Sequence, residues 1–171
     1  MLIYTIGTKT LKKDHLLLET FYEGWMDYQR QLIRAIAPLS SEQLALCAAS
    51  HLRSVGLIAA HIIASRVAQF HRILGEGSAE VAPLVRWDDA DQPVRTASEL
   101  VNGLEITWQL MHNAIAHWTP ADLGQTIQWQ WQGREYTYSR PSLIWSTLKH
   151  DIHHGGELSL MLGIHGLAAL E

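Results

Sequence analysis

The sequence has little of what marks several common protein classes. Cys47 is the only cysteine among 171 residues. A single thiol forms no internal disulfide, and no cysteine-based zinc ribbon or CxxC redox pair exists in the chain. Cys47 is far in sequence from every candidate ligand described below, so we predict a buried small residue and not a catalytic thiol.

Long apolar runs and basic clusters are also missing. No stretch of about 18 apolar residues occurs, and the first residues lack the apolar core of a signal peptide. We therefore expect a soluble, cytoplasmic protein without a membrane partner. The 13 basic and 17 acidic residues give a net charge of -4. Because lysine and arginine do not cluster, a nucleic-acid partner is not expected.

The residues that are abundant indicate a folded chain with a histidine-rich site. Hydrophobic residues make up 47% of the sequence and charged residues 18%. No internal repeat or long linker divides the chain, so we expect a single domain over residues 1–171. The ten histidines and seven tryptophans are the two compositional excesses that suggest a function.

Apolar residues at steps of three or four predict four amphipathic helices. The predicted helices span about residues 16–37, 52–74, 96–118 and 139–162. Thr96 and Glu99 form the capping-box pattern that begins the third of these helices. The pattern predicts an all-α four-helix bundle, a class that builds metal and ligand sites from side chains on facing helices.

Two connections complete the predicted bundle. The segment 76–95 contains two prolines and an acidic patch at Asp88, Asp89 and Asp91, and we interpret it as a long irregular crossover after the second helix. Residues 126–138 alternate polar and apolar side chains around Gly133, which predicts a small β-hairpin between the third and fourth helices.

The densest chemistry lies in the fourth predicted helix, in the stretch 150–157. His150 and His154 are four residues apart, so both imidazoles lie on one helix face. They share that face with Leu143, Thr147 and Met161, which indicates that the pair faces the bundle interior. Neutral imidazole is a good ligand for zinc, nickel, copper and iron.

A third histidine strengthens the metal interpretation. His61 lies on the predicted inward side of the second helix, flanked by Ile58 and Ile62. A lone buried histidine is more often a hydrogen-bonded core residue than a ligand, and the His150–His154 spacing alone does not separate these alternatives. His153 differs in direction from His154 by about 100° and is expected at the edge of the site or on the surface.

Two sequence stretches together resemble the DinB/YfiT-like family. The first is Leu-Ile-Ala-Ala-His61-Ile-Ile-Ala-Ser-Arg, and the second is Leu-Lys-His150-Asp-Ile-His-His154-Gly-Gly-Glu-Leu. The resemblance extends to the helix order, the crossover, the hairpin and the closing histidine-rich helix. It implies a homodimeric bundle in which His61, His150 and His154 bind a divalent metal, nickel or zinc first and iron as a further candidate.

The resemblance also implies a reaction class, because several family members are thiol-dependent transferases. We therefore expect a metal-dependent enzyme that activates a thiol or water for attack on a small electrophile, with a small-molecule substrate and a low-molecular-weight thiol as partners. The alternatives are a non-catalytic metal-binding protein of the stress response and a purely structural dimeric bundle.

The sequence departs from the family pattern directly after His154. The family commonly has Arg-Gly-Gln there, whereas this chain has Gly155, Gly156 and Glu157. The change removes a positive charge from the mouth of the predicted site. Glu157 lies one turn from His154, so it is the candidate catalytic residue, either as a base or by orienting a ligand imidazole. The alternative is a solvated or ion-paired surface residue.

The tryptophans are expected to be mainly structural. Trp25, Trp108 and Trp145 follow apolar helical stripes and are predicted core residues. Trp129 and Trp131 point to one face of the predicted hairpin. We expect them to pack the hairpin onto the bundle, with covering a pocket or a dimer partner as alternatives.

Overall fold

The structure, a computed structural model, describes residues 8–171 and the side chains from Tyr22 onward. The helices in chain order are α1 (Thr8–Ile36), α2 (Ser41–Leu44), α3 (Val55–Val67), α4 (Ala97–His117), α5 (Pro120–Leu123) and α6 (Arg140–Ile164). Strands β1 (Thr126–Trp131) and β2 (Arg134–Ser139) lie between α5 and α6. The long helices α1, α3, α4 and α6 form a bundle, so the predicted all-α class is confirmed.

The helix boundaries differ from the predicted ones at four places, one of which is the start of α3 at Val55, three residues after the predicted residue 52. Helix α1 begins at Thr8, earlier than the predicted residue 16, whereas residues 1–7 lie outside the described part of the chain. Helix α3 continues after Val67 as a π-helical segment, Ala68–Ile73. Helix α6 ends at Ile164, two residues after the predicted end.

Side-chain caps explain where the bundle helices begin. The Thr96 hydroxyl accepts a hydrogen bond from the Glu99 amide at 3.3 Å, and the Glu99 carboxylate accepts one from the Thr96 amide at 2.8 Å. The predicted capping box is thus confirmed at the start of α4. Ser54 caps α3 by accepting from the amide of Leu57. These caps satisfy amides that lack partners within the helix.

The crossover between α3 and α4 is more regular than predicted. Residues Ala79–Arg86 form a 3-10 helix, with Val81 and Leu84 buried against the bundle. Trp87 follows directly, and its ring lies against α4 where Gly103 has no side chain. A Cβ at Gly103 would lie 2.6 Å from the Trp87 ring. The glycine therefore permits the close approach that fixes the end of the crossover.

The predicted hairpin is confirmed as the antiparallel pair β1 and β2. Trp129 lies opposite Tyr136 in the register. The two-residue turn consists of Gln132 and Gly133, with φ angles of 49° and 75°. Positive φ at both turn positions is characteristic of a type I′ turn, which matches the twist of the flanking strands.

The bundle core confirms some of the residues predicted to be buried and corrects one. Trp25 is 2% exposed, and Trp108 is partly buried against the core. The prediction for Trp145 is wrong, because its side chain is 61% exposed. Trp145 is two residues from the buried Leu143, so it points about 200° away from that face of α6. Cys47 is half-buried.

Among the helices of the described residues, none is both long enough and apolar enough to cross a bilayer.

Candidate metal centre

Helices α3 and α6 bring the three predicted ligands together. The two helices run antiparallel. His61 contacts His154, whereas Gln69, eight residues further along the chain, contacts Thr147, which precedes His154. The ring centroids of His61 and His154 are 4.6 Å apart. The Thr147 hydroxyl donates to the Gln69 side-chain oxygen at 3.0 Å.

The three imidazoles converge on one point between the helices. The Nε2 atoms of His61 and His150 are 3.1 Å apart. One nitrogen from each of His61, His150 and His154 lies within 4.8 Å of the others. Two nitrogens bound to one zinc ion at about 2.0–2.1 Å lie about 2.9–3.4 Å apart, for bond angles between octahedral and tetrahedral. The His61–His150 separation falls in that interval, so these two nitrogens are spaced as a divalent metal requires, and the His154 nitrogen lies within 4.8 Å of both.

Carboxylates hold the outer nitrogens of two of these rings. His61 Nδ1 lies 2.5 Å from Asp88 Oδ2, and His154 Nδ1 lies 2.7 Å from Glu157 Oε2. A carboxylate only accepts hydrogen bonds, so the proton of each neutral ring is on Nδ1 and the lone pair is on Nε2. Ligating histidines in proteins show this same arrangement.

Burial favours the neutral form of His150 and His154, which is the form that binds metals. Burial, together with the smaller effect of the neighbouring rings of His154 and His61, lowers the pKa of His150 to about 3. Burial also lowers the pKa of His154, although the hydrogen bond to Glu157 opposes the shift. His150 Nδ1 is buried without a hydrogen-bond partner among the described residues.

The Glu157 carboxylate is partly open to solvent and remains charged near neutral pH. Its side chain is 45% exposed. Partial burial raises the pKa of Glu157, but the hydrogen bond from His154 and the nearby basic groups, among them His153 and Arg53, outweigh burial, so the net shift is downward. A charged carboxylate at this position stabilises the His154 tautomer whose Nε2 faces the other two histidines.

Comparisons with known proteins agree with the observed fold. The sequence model of the DinB family matches residues 8–170. This chain belongs to the DinB family. Among curated proteins, no sequence matches the chain.

Two solved structures of DinB-like proteins share the fold of this chain, although their sequences are only distantly similar to it. A DinB-like protein from Bacillus cereus superposes with a TM-score of 0.65 at 19% identity, covering 88% of this chain and 94% of that chain. A DinB-like protein from Bacillus subtilis gives a TM-score of 0.62 at 16% identity, covering 85% and 92%. At these identities the likeness concerns the fold.

Asp88 is a site residue of this DinB-family chain that sequence reasoning missed. The acidic patch in the crossover was visible, but nothing in the spacing indicated that one of its carboxylates reaches α3. The position of Asp88 depends on its neighbour Trp87, whose ring packs against Gly103 and lies 4.7 Å from the Arg95 guanidinium. Packing at Trp87 therefore places the carboxylate beside His61.

A fully buried ion pair lies directly beneath the three histidines. The Arg66 guanidinium of α3 donates to the Asp151 carboxylate of α6 at 2.8 Å, and both side chains are 0% exposed. From α1, Trp25 Nε1 also donates to Asp151 at 3.0 Å, and the Gln29 side-chain oxygen accepts from Arg66 at 2.7 Å. The pair thus connects three bundle helices and fixes the register in which His61 faces His150.

Gly155, which follows His154, permits a close contact between α1 and α6. A Cβ at Gly155 would lie 1.9 Å from the Tyr28 hydroxyl oxygen. Tyr28 donates to the carbonyl of Ile152 at 3.3 Å, and burial raises its pKa to about 12. The neutral phenol of Tyr28 therefore occupies the space that a side chain larger than glycine at position 155 would need.

His153 lies at the edge of the site, as predicted. Its side chain is 66% exposed, and its Nε2 lies 3.3 Å from Glu157 Oε1. With Glu157, His153 and His154 form a second group of close potential ligands. Because this group shares His154 with the first and is more exposed, the buried set centred on His150 is the better candidate metal centre.

Proposed function

We propose that this DinB-family protein is a divalent-metal-dependent enzyme that activates a thiol or a water molecule for attack on a small electrophile. The observation that carries the proposal is the convergence of three imidazoles whose outer nitrogens are held by Asp88 and Glu157. Each carboxylate holds the proton of its imidazole on Nδ1, so Nε2 carries the lone pair that a cation binds. The arrangement matches the outer hydrogen bonds of ligating histidines.

The donor set indicates which metals suit the centre. We propose that His61, His150 and His154 hold the ion, with nickel or zinc as first candidates and iron as a further one. Neutral imidazoles suit all three metals, so cellular supply contributes to the choice. Three protein ligands leave at least one position for a small molecule. When bound, a divalent metal supplies a Lewis acid that lowers the pKa of a thiol or a water molecule toward neutrality.

Other residues of the chain orient the ligands and accept protons. Asp88 and Glu157 fix the tautomers of His61 and His154, and burial keeps His150 neutral. Of the two carboxylates, Glu157 is the more exposed, with 45% of its side chain accessible against 22% for Asp88. Accordingly, we propose Glu157 as the orienting partner of His154 and as the carboxylate best placed to accept a proton from an arriving thiol or water.

A thiol-transfer assay tests the catalytic proposal. The protein, loaded with zinc or nickel, is supplied with bacillithiol or cysteine and with 1-chloro-2,4-dinitrobenzene, so that the sulfur–carbon bond forms and chloride leaves. We expect turnover that requires the metal and disappears in His150→Ala. Equal rates with and without metal would contradict the proposal. Metal binding without turnover for any thiol or for water would indicate the non-catalytic metal-binding protein instead.

We also propose that the protein is a cytoplasmic homodimer, as the family resemblance implies. An exposed apolar face of α6 supports this assembly. Trp145, Ile152 and Leu160 lie within about 80° of one another around the helix, and they are 61%, 51% and 67% exposed. Sedimentation equilibrium tests the assembly, and a monomer at micromolar concentration would contradict it.

A further inference from the structure

A second place in the molecule has the features of a ligand site. The hairpin and the π-helical end of α3 enclose a pocket of about 300 Å³. Four aromatic side chains line it, and the Arg72 side chain lies among them; the aromatic residues are Trp129, Trp131, Tyr136 and Tyr138. Arg72 is eleven residues beyond His61, which corresponds to about 16 Å along the helix. The pocket is therefore separate from the candidate metal centre.

The Arg72 guanidinium is the distinctive group of this pocket. Its central carbon lies 4.7 Å from the centre of the Trp131 ring and 5.7 Å from the Trp129 ring. Ion pairs among the described side chains involve other arginines and none involves Arg72. Among the described residues only aromatic rings lie against this charge, and none accepts a hydrogen bond from the guanidinium, which can therefore donate to an anion.

The backbone around Arg72 is unusual as well. Residues Ala68–Ile73 form a π-helix, a conformation that is rare and occurs frequently at functional sites. The hairpin presents parallel aromatic rings opposite this segment. Tyr136 and Tyr138 stack with centroids 6.0 Å apart and an angle of 7° between their planes. Such rings offer flat apolar surfaces to a planar ligand.

We propose that this pocket binds a small aromatic carboxylate. The carboxylate pairs with Arg72, whose planar fork of donors matches two carboxylate oxygens. The ring of the ligand packs against the tryptophan and tyrosine side chains. The volume is at the lower end of the range for ligand pockets, so it accommodates one compact molecule.

The tryptophan indole N–H signals in a ¹H–¹⁵N NMR spectrum test the proposal with 2-naphthoate as the probe. We expect naphthoate to shift the signals of Trp129 and Trp131, assigned from Trp129→Phe and Trp131→Phe, while the buried Trp25 signal stays in place. The neutral analogue 2-naphthalenemethanol and the non-aromatic cyclohexanecarboxylate should each bind much more weakly. Equal shifts with the neutral analogue, or no shift at millimolar naphthoate, would overturn the proposal.

A pair of arginine variants tests the role of the cation. We expect Arg72→Gln to weaken naphthoate binding by about tenfold, the effect of losing a charged hydrogen bond. Arg34→Gln, at the exposed end of α1, should leave binding unchanged, and Arg72→Lys should give an intermediate loss because it keeps only the charge. Unchanged binding in Arg72→Gln, with an intact Trp25 signal, would show that Arg72 only packs the hairpin and would overturn the proposal.

The two proposed sites are tested separately. In the metal-free protein and in His150→Ala, naphthoate should bind as it does in the metal-loaded protein. If naphthoate binds equally to the wild type and to His150→Ala while neither of them takes up metal, the metal proposal fails and the pocket proposal stands. Loss of naphthoate binding in the folded His150→Ala variant would contradict a separate pocket.

Discussion

Two polar clusters lie side by side between α3 and α6, and they differ in how their groups are satisfied. Arg66 and Asp151 carry opposite charges, are completely buried and donate and accept within one network. The neighbouring histidines place atoms of the same kind opposite each other, with the Nε2 atoms of His61 and His150 at 3.1 Å. The first cluster is complete as it stands, whereas in the second the buried His150 Nδ1 has no partner among the described residues, and we expect the Nε2 lone pairs to bind a cation.

The difference separates a structural role from a chemical one on the same two helices. A buried ion pair that is fully hydrogen-bonded holds its helices in one register, and its removal is expected to be costly. A set of neutral imidazoles with oriented outer nitrogens contributes little to holding helices together but binds metals well. Substitutions in the two clusters should therefore affect different measurements, folding stability in one and metal affinity in the other.

The largest expected effect comes from breaking the ion pair. Asp151→Ala leaves the Arg66 charge buried and unpaired, so we expect a loss of about 3–5 kcal/mol in the free energy of unfolding. Urea unfolding followed by circular dichroism measures it. As a control, Asp27→Ala removes the exposed pair with Arg30, whose side chains are 64% and 57% exposed, and should change stability by less than about 1 kcal/mol. Equal losses would contradict a special role for the buried pair.

Removal of a proposed ligand should act on metal affinity instead. Loss of an orienting partner typically weakens metal binding by about 10–100-fold. Because His154→Ala removes the ligand itself, we expect its metal affinity to fall by more than about 100-fold. Competition with a chromophoric chelator measures the affinity. His153→Ala is the matched control on the neighbouring, exposed residue and should bind as the wild type does. If both variants lose affinity equally, the exposed group around His153 is part of the centre.

Asp88 tests whether the crossover belongs to the site. Asp88→Ala removes the acceptor that fixes the His61 tautomer, so we expect about 10–100-fold weaker metal binding with little change in unfolding free energy. Asp89→Ala is the control, because Asp89 pairs instead with Arg86 on the surface at 2.8 Å. A wild-type affinity in Asp88→Ala would show that the crossover only covers the bundle.

The smallest expected effect concerns the two adjacent glycines of α6. Gly155→Ala places a methyl group against the Tyr28 hydroxyl, and overpacking of this kind costs about 1–3 kcal/mol, partly offset by the better helix propensity of alanine. Gly156→Ala meets no atom within 4 Å and should stabilise the helix by up to about 1 kcal/mol. Thermal unfolding compares them. Stabilisation by both substitutions would mean that α1 does not approach α6 at Tyr28.

Helical periodicity was sufficient to predict the bundle and to predict that three residues distant in sequence lie close together. His150 and His154 share a face because they are four residues apart. His61 lies in α3, where almost all of its neighbours in sequence are apolar. The prediction for Trp145 was wrong because this residue is two positions from Leu143 and therefore points away from the buried face of α6. It also gave no account of the Arg66–Asp151 pair, although a charged residue within the apolar stretch of α3 was a visible signal.

The contribution of Asp88 was beyond prediction for a physical reason. Its carboxylate comes from a connection and not from a periodic element, so its direction depends on tertiary packing of Trp87 in the space left by Gly103. The orienting role of Glu157 was among the alternatives, since a residue one helical turn from His154 has a defined direction. Contacts within one helix are therefore readable from sequence, whereas contacts made through a crossover are not.

The metal content of protein purified without an affinity tag tests the central claim most directly. Elemental analysis of the wild type and of His150→Ala, after exposure to equimolar zinc or nickel and desalting, gives the number of ions per chain. The account predicts about one ion per wild-type chain and a large loss in the variant, because three ligands are reduced to two. No bound ion in the folded wild type, or the same content in the variant, would contradict a metal centre on His61, His150 and His154.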